Sequence, residues 1–164
     1  MKIVYHILIV LLFFSCTPTS KKTVVLANNT INKSVLPSLK EPEKALVLWY
    51  LYAYGNACDG TTDKPKCEIL KTLHITDECN PKHLSFLMQW FSTDMLAVYK
   101  LNKCPSLPVK SAIQNEFEKI ILQRKKDTLI IDFKIKGMNN SQEKSWNIEK
   151  TEAYVIRDKT LVKL

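Results

Sequence analysis

Thr128-Leu129-Ile130-Ile131-Asp132-Phe133-Lys134-Ile135 lies toward the C-terminal end of a chain of 164 residues. Leu129, Ile131, Phe133 and Ile135 recur at every second position against Thr128, Asp132 and Lys134, with Ile130 the one exception. A period of two belongs to a β-strand with one face in a core and the other in water. Upstream, Phe117 to Arg124 reads as the preceding strand, joined by a turn at Lys125, Lys126 and Asp127. Downstream, Gly137 to Gln142 reads as a longer turn. Trp146 to Arg157 and Thr160 to Leu164 then read as one long, bent strand or two short ones. An antiparallel meander is expected from Glu116 onward.

Before this region the period lengthens. Pro42 and Glu43 at one end and Gly55 at the other bracket a helix over 42–54. Leu46, Trp49, Tyr50 and Ala53 recur at helical spacing, and Val47, Leu48, Leu51 and Tyr52 fill the flanks, so this helix should be covered on most sides. A short helix over 66–73 would bury Ile69, Leu70 and Leu73. Asn80 then caps and Pro81 opens a third helical stretch, with Leu84, Leu87, Met88 and Phe91 on one face and Phe86 and Trp90 broadening it. Ser92, Thr93 and Asp94 prefer N-caps to helix interiors, so a new turn begins there and runs to Leu101. Pro105 to Pro108 separates the helices from the strands. Helices first and a meander second make the class α+β, with N-terminal helices packed on a curved C-terminal antiparallel sheet. Over residues 42–164 this order resembles the cone-shaped fold named after nuclear transport factor two and its cystatin-like relatives. The fold hosts enzymes, binders and scaffolds alike, so the resemblance transfers no function.

The N-terminus carries an address. Lys2 is followed by an apolar run from Ile3 to Phe14, almost unbroken, which fits a secretory signal and is too short for a spanning helix of about 20 residues. Phe13-Phe14-Ser15-Cys16 resembles the lipobox of bacterial lipoproteins. The resemblance implies a signal peptide over 1–15 and a mature chain that begins at a lipidated Cys16, anchored by roughly 0.8 kcal/mol per buried methylene. Thr17, where some lipoproteins carry Asp, implies sorting to the outer membrane, and the absence of an acidic run after Lys21 and Lys22 implies its periplasmic side. The plainer alternative is a cleaved secretory protein in which Cys16 is incidental. Residues 16–41 are rich in Thr, Ser, Asn and Lys and read as a flexible tether; only Val24, Val25 and Leu26 suit a short edge strand. A single domain over 42–164 follows.

The formal net charge is +8. Residues 17–44 hold five basic and two acidic side chains, 45–104 six of each, and 105–164 twelve basic and eight acidic. Lysines interspersed with acids make a solvated face, and no recognition motif accompanies them, so a nucleic-acid partner is not expected. Beyond Cys16 the chain has Cys58, Cys67, Cys79 and Cys104. In an oxidising compartment these should form two disulfides, with three pairings open. A continuous helix over 82–99 would hold Cys79 and Cys104 roughly 25 Å apart, beyond bridging distance, unless it breaks near Ser92. With that break, Cys58–Cys67 and Cys79–Cys104 is the favoured set.

Chemistry-bearing residues are sparse. Cys67, His74, Cys79 and His83 are close in sequence but lack the paired Cys-x-x-Cys of strong zinc sites, and oxidised cysteines would not ligate, so neither metal nor cofactor is expected. His74, Glu78, His83 and Asp94 are the acid/base candidates. Each has a plainer role: His74 at a helix C-terminus, His83 in a first turn facing water, Asp94 as a cap. Three glycines in all exclude Gly-rich phosphate loops, so no enzyme is expected. Trp49, Tyr50, Tyr54, Trp90, Phe91, Tyr99, Phe133 and Trp146 would either line a ligand cavity or fill the core. Asp127-Thr128-Leu129 also resembles a short O-glycosylation acceptor of some envelope proteins. The leading expectation is a non-catalytic lipoprotein that binds a protein partner, an immunity or inhibitor protein being one version. The alternative is a small-ligand binder that uses the aromatic set.

Overall fold

In a computed structural model, the structure describes residues 21–28, 30–54, 64–73, 81–98 and 113–164. Among the described residues, six strands form one antiparallel sheet: β1 (Lys22–Asn28), β2 (Thr30–Ile31), β3 (Ile113–Lys125), β4 (Thr128–Asn139), β5 (Lys144–Arg157) and β6 (Thr160–Lys163), in the order β2-β1-β3-β4-β5-β6. The described helices are α1 (Glu41–Tyr54), α2 (Lys64–Thr72), α3 (Pro81–Trp90) and α4 (Thr93–Val98), preceded by a 3₁₀ turn at Leu36–Ser38. The class is α+β. No helix among the described residues is long and apolar enough to cross a membrane.

β4 is the centre of the sheet, and its alternation is that of the sequence. Leu129, Ile131, Phe133 and Ile135 are buried, while Thr128, Ile130, Asp132 and Lys134 are half-buried on the other face. β3 departs from strict alternation, because Phe117, Ile120 and Leu122 are the buried positions and the register against β4 shifts between Phe117 and Lys119. The extra residue turns Lys119 outward. There its ammonium lies 3.1 Å from Asp132 on β4 and 2.9 Å from Glu149 on β5.

Two boundaries differ from the expectations. The flexible stretch expected over 16–41 is structured where the described residues cover it, at 22–28 and 30–41. β1 pairs with β3 from Lys22 opposite Arg124 to Asn28 opposite Lys119, and Val24, Leu26, Ala27, Leu36 and Leu39 are buried. Few apolar residues suffice here, because β3 supplies the hydrogen-bonding partner and the polar residues between them take exposed positions. β4 continues through Gly137 to Asn139, so the turn falls at 140–143 rather than 137–142. Of the two forms left open for the C-terminal stretch, one bent strand or two, it takes two, joined at Asp158 and Lys159 with φ of 46° and 62°, both in the left-handed region of a tight hairpin.

α1 begins as its sequence suggests. The Lys40 backbone N–H donates to Glu43 Oε2 at 2.7 Å, one half of a capping box. Glu43 is itself buried, with Arg124 Nη1 of β3 3.5 Å from its other oxygen. From Ala45 to Leu51 every α1 residue is buried. Its last carbonyl, at Tyr54, accepts from Asn115 Nδ2 of β3 at 2.9 Å. α2 buries Ile69 and Leu70. On α3, Leu87 is buried but Met88, expected beside it, is 49% exposed. Ser92, rather than Asp94, caps α4, accepting from Met95 N–H at 3.4 Å while Asp94 is exposed. One hydrophobic core takes residues from α1, α2, α3, α4 and the sheet, from Val24 to Leu161.

Candidate functional site

Among the described residues, a group of interacting polar side chains at the edge of the core joins α1 to β5 and β6. Glu152 and Tyr154 are two apart on β5 and share its inner face, opposite Ile131 and Leu129 of β4. Lys163 of β6 pairs with Tyr154. Tyr50, in the middle of α1, reaches this row. Its hydroxyl donates to Glu152 Oε2 and lies 2.9 Å from the Tyr154 hydroxyl. Tyr154 also donates to Glu152 Oε2 at 3.3 Å, and Lys163 Nζ stands 2.9 Å from the same oxygen. Both phenols are fully buried, and a buried hydroxyl requires a partner; here the partners are one another and one carboxylate.

The electrostatics fix the protonation states. Burial, and then the hydrogen bonds to Glu152 and Tyr154, push the Tyr50 phenol far above its ordinary range. Burial also acts to raise Glu152, but donation from Tyr50, Lys163 and Tyr154 outweighs it and holds the carboxyl below its usual value. At neutral pH the phenol keeps its proton and the carboxylate keeps its charge. A general acid or base works best with a pKa near the operating pH, and neither group is tuned that way. The cluster is built to hold α1 against β5 and β6.

A second polar group joins α1, α2 and α3. The Tyr52 hydroxyl lies 2.7 Å from His83 Nδ1, their rings stack with centroids 6.1 Å apart, and buried Lys66 has its ammonium 5.6 Å from the Tyr52 ring centroid. His83 was expected to face water; it is half-buried and bonded. Tyr52 and Lys66 were absent from the sequence candidates, although Tyr52 belongs to the apolar flank of α1.

The aromatic set divides. Trp49 stacks on Phe91 at 5.6 Å and meets Tyr50 edge-on at 4.8 Å; Tyr50 lies 4.8 Å from Phe133, and Tyr54 lies 5.1 Å from Phe133. These rings pack against one another. Trp90 is half-buried against the same core. Trp146 is elsewhere on β5, directly opposite Gly137. Tyr99 lies outside the described residues, as do Cys16, Cys58, Cys79, Cys104, His74 and Glu78. Cys67, on α2, is disulfide-bonded. Among the described residues no group of three or more His, Cys, Asp or Glu side chains is arranged to hold a metal ion. Asp127 is in the β3–β4 turn and Thr128 opens β4.

The signal for Glu152 was present in the sequence. It stands in phase with Trp146, Ile148 and Tyr154, an acid among inward positions, and an acid there requires donors. Nothing local indicated that Tyr50 would supply one. Comparison with family models, with characterised proteins and with solved structures finds no match to this chain.

Proposed function

We propose that the chain is a non-catalytic lipoprotein domain that binds a protein partner at the periplasmic side of the outer membrane, held there by acyl chains on Cys16. In this reading the helices sit on the concave side of the curved sheet, as in the cone-shaped fold, and the partner is a protein such as a secreted toxin or hydrolase that the domain neutralises. One observation carries the non-catalytic part. The Tyr50 and Tyr154 hydroxyls and the Glu152 carboxylate satisfy one another inside the core, with Trp49, Phe91 and Phe133 packed around the two tyrosine rings. These three polar groups, which could otherwise bind a small ligand or move protons, are committed to the fold, and in this reading recognition belongs to the surface. The anchor is tested by Cys16→Ala, expected to move the protein from the membrane to the soluble fraction; unchanged partitioning removes the lipoprotein reading. The partner class is tested by challenging a deletion strain with secreted toxins of sibling strains. Sensitivity restored to resistance by the intact gene supports an immunity role, and survival of the deletion strain against all of them removes it.

A further inference from the structure

β5 has neighbours of unequal length. β4 pairs with it from Lys144 to Val155, whereas β6 covers only Tyr154 to Arg157. Leu164 N–H extends the cover by one bond, to Ala153 O at 2.9 Å. Among the described residues, no strand lies on the second side of β5 from Lys144 to Glu152. The direction of its backbone groups follows from the hairpin. Arg157 and Thr160 close the tight turn, and Ala153 accepts on the β6 side, so odd-numbered residues direct N–H and C=O that way. Ile156 N–H donates instead to Asp127 O, beyond the β4 end. Ser145, Asn147, Glu149 and Thr151 therefore present their backbone groups to the open edge, and all four are exposed. On the core side of the same edge stand Trp146 and Ile148, both half-buried, and Lys150, which is exposed.

We propose that this edge pairs, antiparallel, with β5 of a second copy of the chain, with the two-fold axis at Ile148. The register is chosen by charge. With Ile148 opposite itself, Ser145 faces Thr151 and Asn147 faces Glu149 in hydrogen-bonded pairs, and all four open backbone positions are used in each copy. In the intervening pairs Lys144 faces Glu152 and the Lys150 ammonium faces the Trp146 ring, a cation over an aromatic face. A shift to a two-fold at Glu149 sets that carboxylate against itself. A shift to Asn147 sets Lys144 against Lys150, and one to Lys150 opposes two ammonium groups. A slip by one residue pairs an open backbone position with a closed one and reverses the faces. Lys150, an inward-pointing charge on an edge strand, is the usual guard against indiscriminate pairing; here it admits one register of its own strand and rejects the neighbouring ones. The pairing depends neither on the Cys16 anchor nor on the identity of another partner.

The test uses the full chain purified in mild detergent, with protein mass followed by sedimentation over a concentration series. A reversible dimer is expected, together with concentration-dependent protection from hydrogen exchange at the amides of Asn147, Glu149 and Thr151, while those of Ile148 and Lys150 are protected by β4 at every concentration. Asn147→Pro removes one edge-facing N–H without touching the β4 ladder and should weaken the dimer at least about tenfold. Lys144→Glu, which sets a carboxylate opposite Glu152, should weaken it with the fold untouched, as read from an unchanged melting temperature. A wild-type chain that is monomeric throughout, or a dimer indifferent to both substitutions, overturns the proposal. So does protection of these amides only when a different protein co-purifies, which would give the edge to a foreign strand.

Discussion

The Tyr50 hydroxyl of α1 donates to the Glu152 carboxylate of β5 across 102 residues of sequence. The bond closes a group that also includes buried Tyr154 and, reaching in from the surface, Lys163. Removing one hydroxyl leaves its neighbours short of a donor inside the core, and a buried polar atom that loses its partner costs about 1–3 kcal/mol. Tyr50→Phe keeps the ring and its contacts with Trp49 and Phe133, so its loss of stability measures the hydroxyl alone. Chemical denaturation should show a lower midpoint with an unchanged slope; an unchanged midpoint would mean that the cluster contributes nothing.

The same cluster predicts a pH dependence with two limbs. Glu152 has a folded pKa below its ordinary value, so its contribution is present above the unfolded carboxyl pKa of about 4.3 and is lost as pH falls through the folded one. Tyr50 has a folded pKa above its ordinary value, so its contribution is complete below the unfolded phenol pKa of about 10 and declines as pH rises beyond it. Denaturation midpoints of the wild type and Glu152→Gln should converge on acidification. Those of the wild type and Tyr50→Phe should converge above pH about 10. Parallel curves in either limb would remove the corresponding group from the account.

The parts of this fold legible in the sequence are those decided by neighbours a few residues away. β4 declares itself because both its faces are written into eight consecutive residues, and α1 because Pro42, Glu43 and a run of apolar residues sit within one helix length. β1 is legible only as a short edge strand at Val24, Val25 and Leu26 inside a polar stretch, because its stability comes from β3, about a hundred residues later, and its own apolar content is small. The shift at Phe117 and Lys119 is invisible to a strict alternation rule, since an extra residue in one strand has no local marker. At the candidate site, the sequence marks Tyr50 by its ring and not by its hydroxyl, and Glu152 only by its phase on β5. Spacing alone points Met88 inward, and its exposure shows that α3 buries a narrower stripe than its apolar residues would allow.

Asp158 and Lys159 both hold positive φ in the β5–β6 turn, and neither is a glycine. A left-handed conformation costs an ordinary L-residue roughly 1 kcal/mol, and glycine removes that cost. Lys159 is exposed, so Lys159→Gly deletes no buried contact. It should raise the melting temperature by a few degrees, the shift expected for about 1 kcal/mol in a chain of this size. A lower melting temperature would show that the lysine side chain stabilises the turn by more than its backbone strain costs.

Gly137 and Trp146 face each other across β4 and β5, and the absence of a side chain on the first makes room for the second. A Cβ on Gly137 would overlap Trp146 Nε1 and lie 2.6 Å from Asn115 Oδ1. The indole covers the glycine, a pairing that restores to the strand the packing a glycine lacks. Gly137→Ala must displace the indole or push aside Asn115, whose amide holds the end of α1 through Tyr54 O. Overpacking of this kind costs about 1–3 kcal/mol. Trp146→Ala removes the clash along with the cover, so Gly137→Ala should cost little in that background. A double-mutant cycle should therefore return a coupling well above the additivity error of about 0.5 kcal/mol. If the two substitutions add, the indole is not seated on Gly137, and β5 is held at this end by its backbone ladder alone.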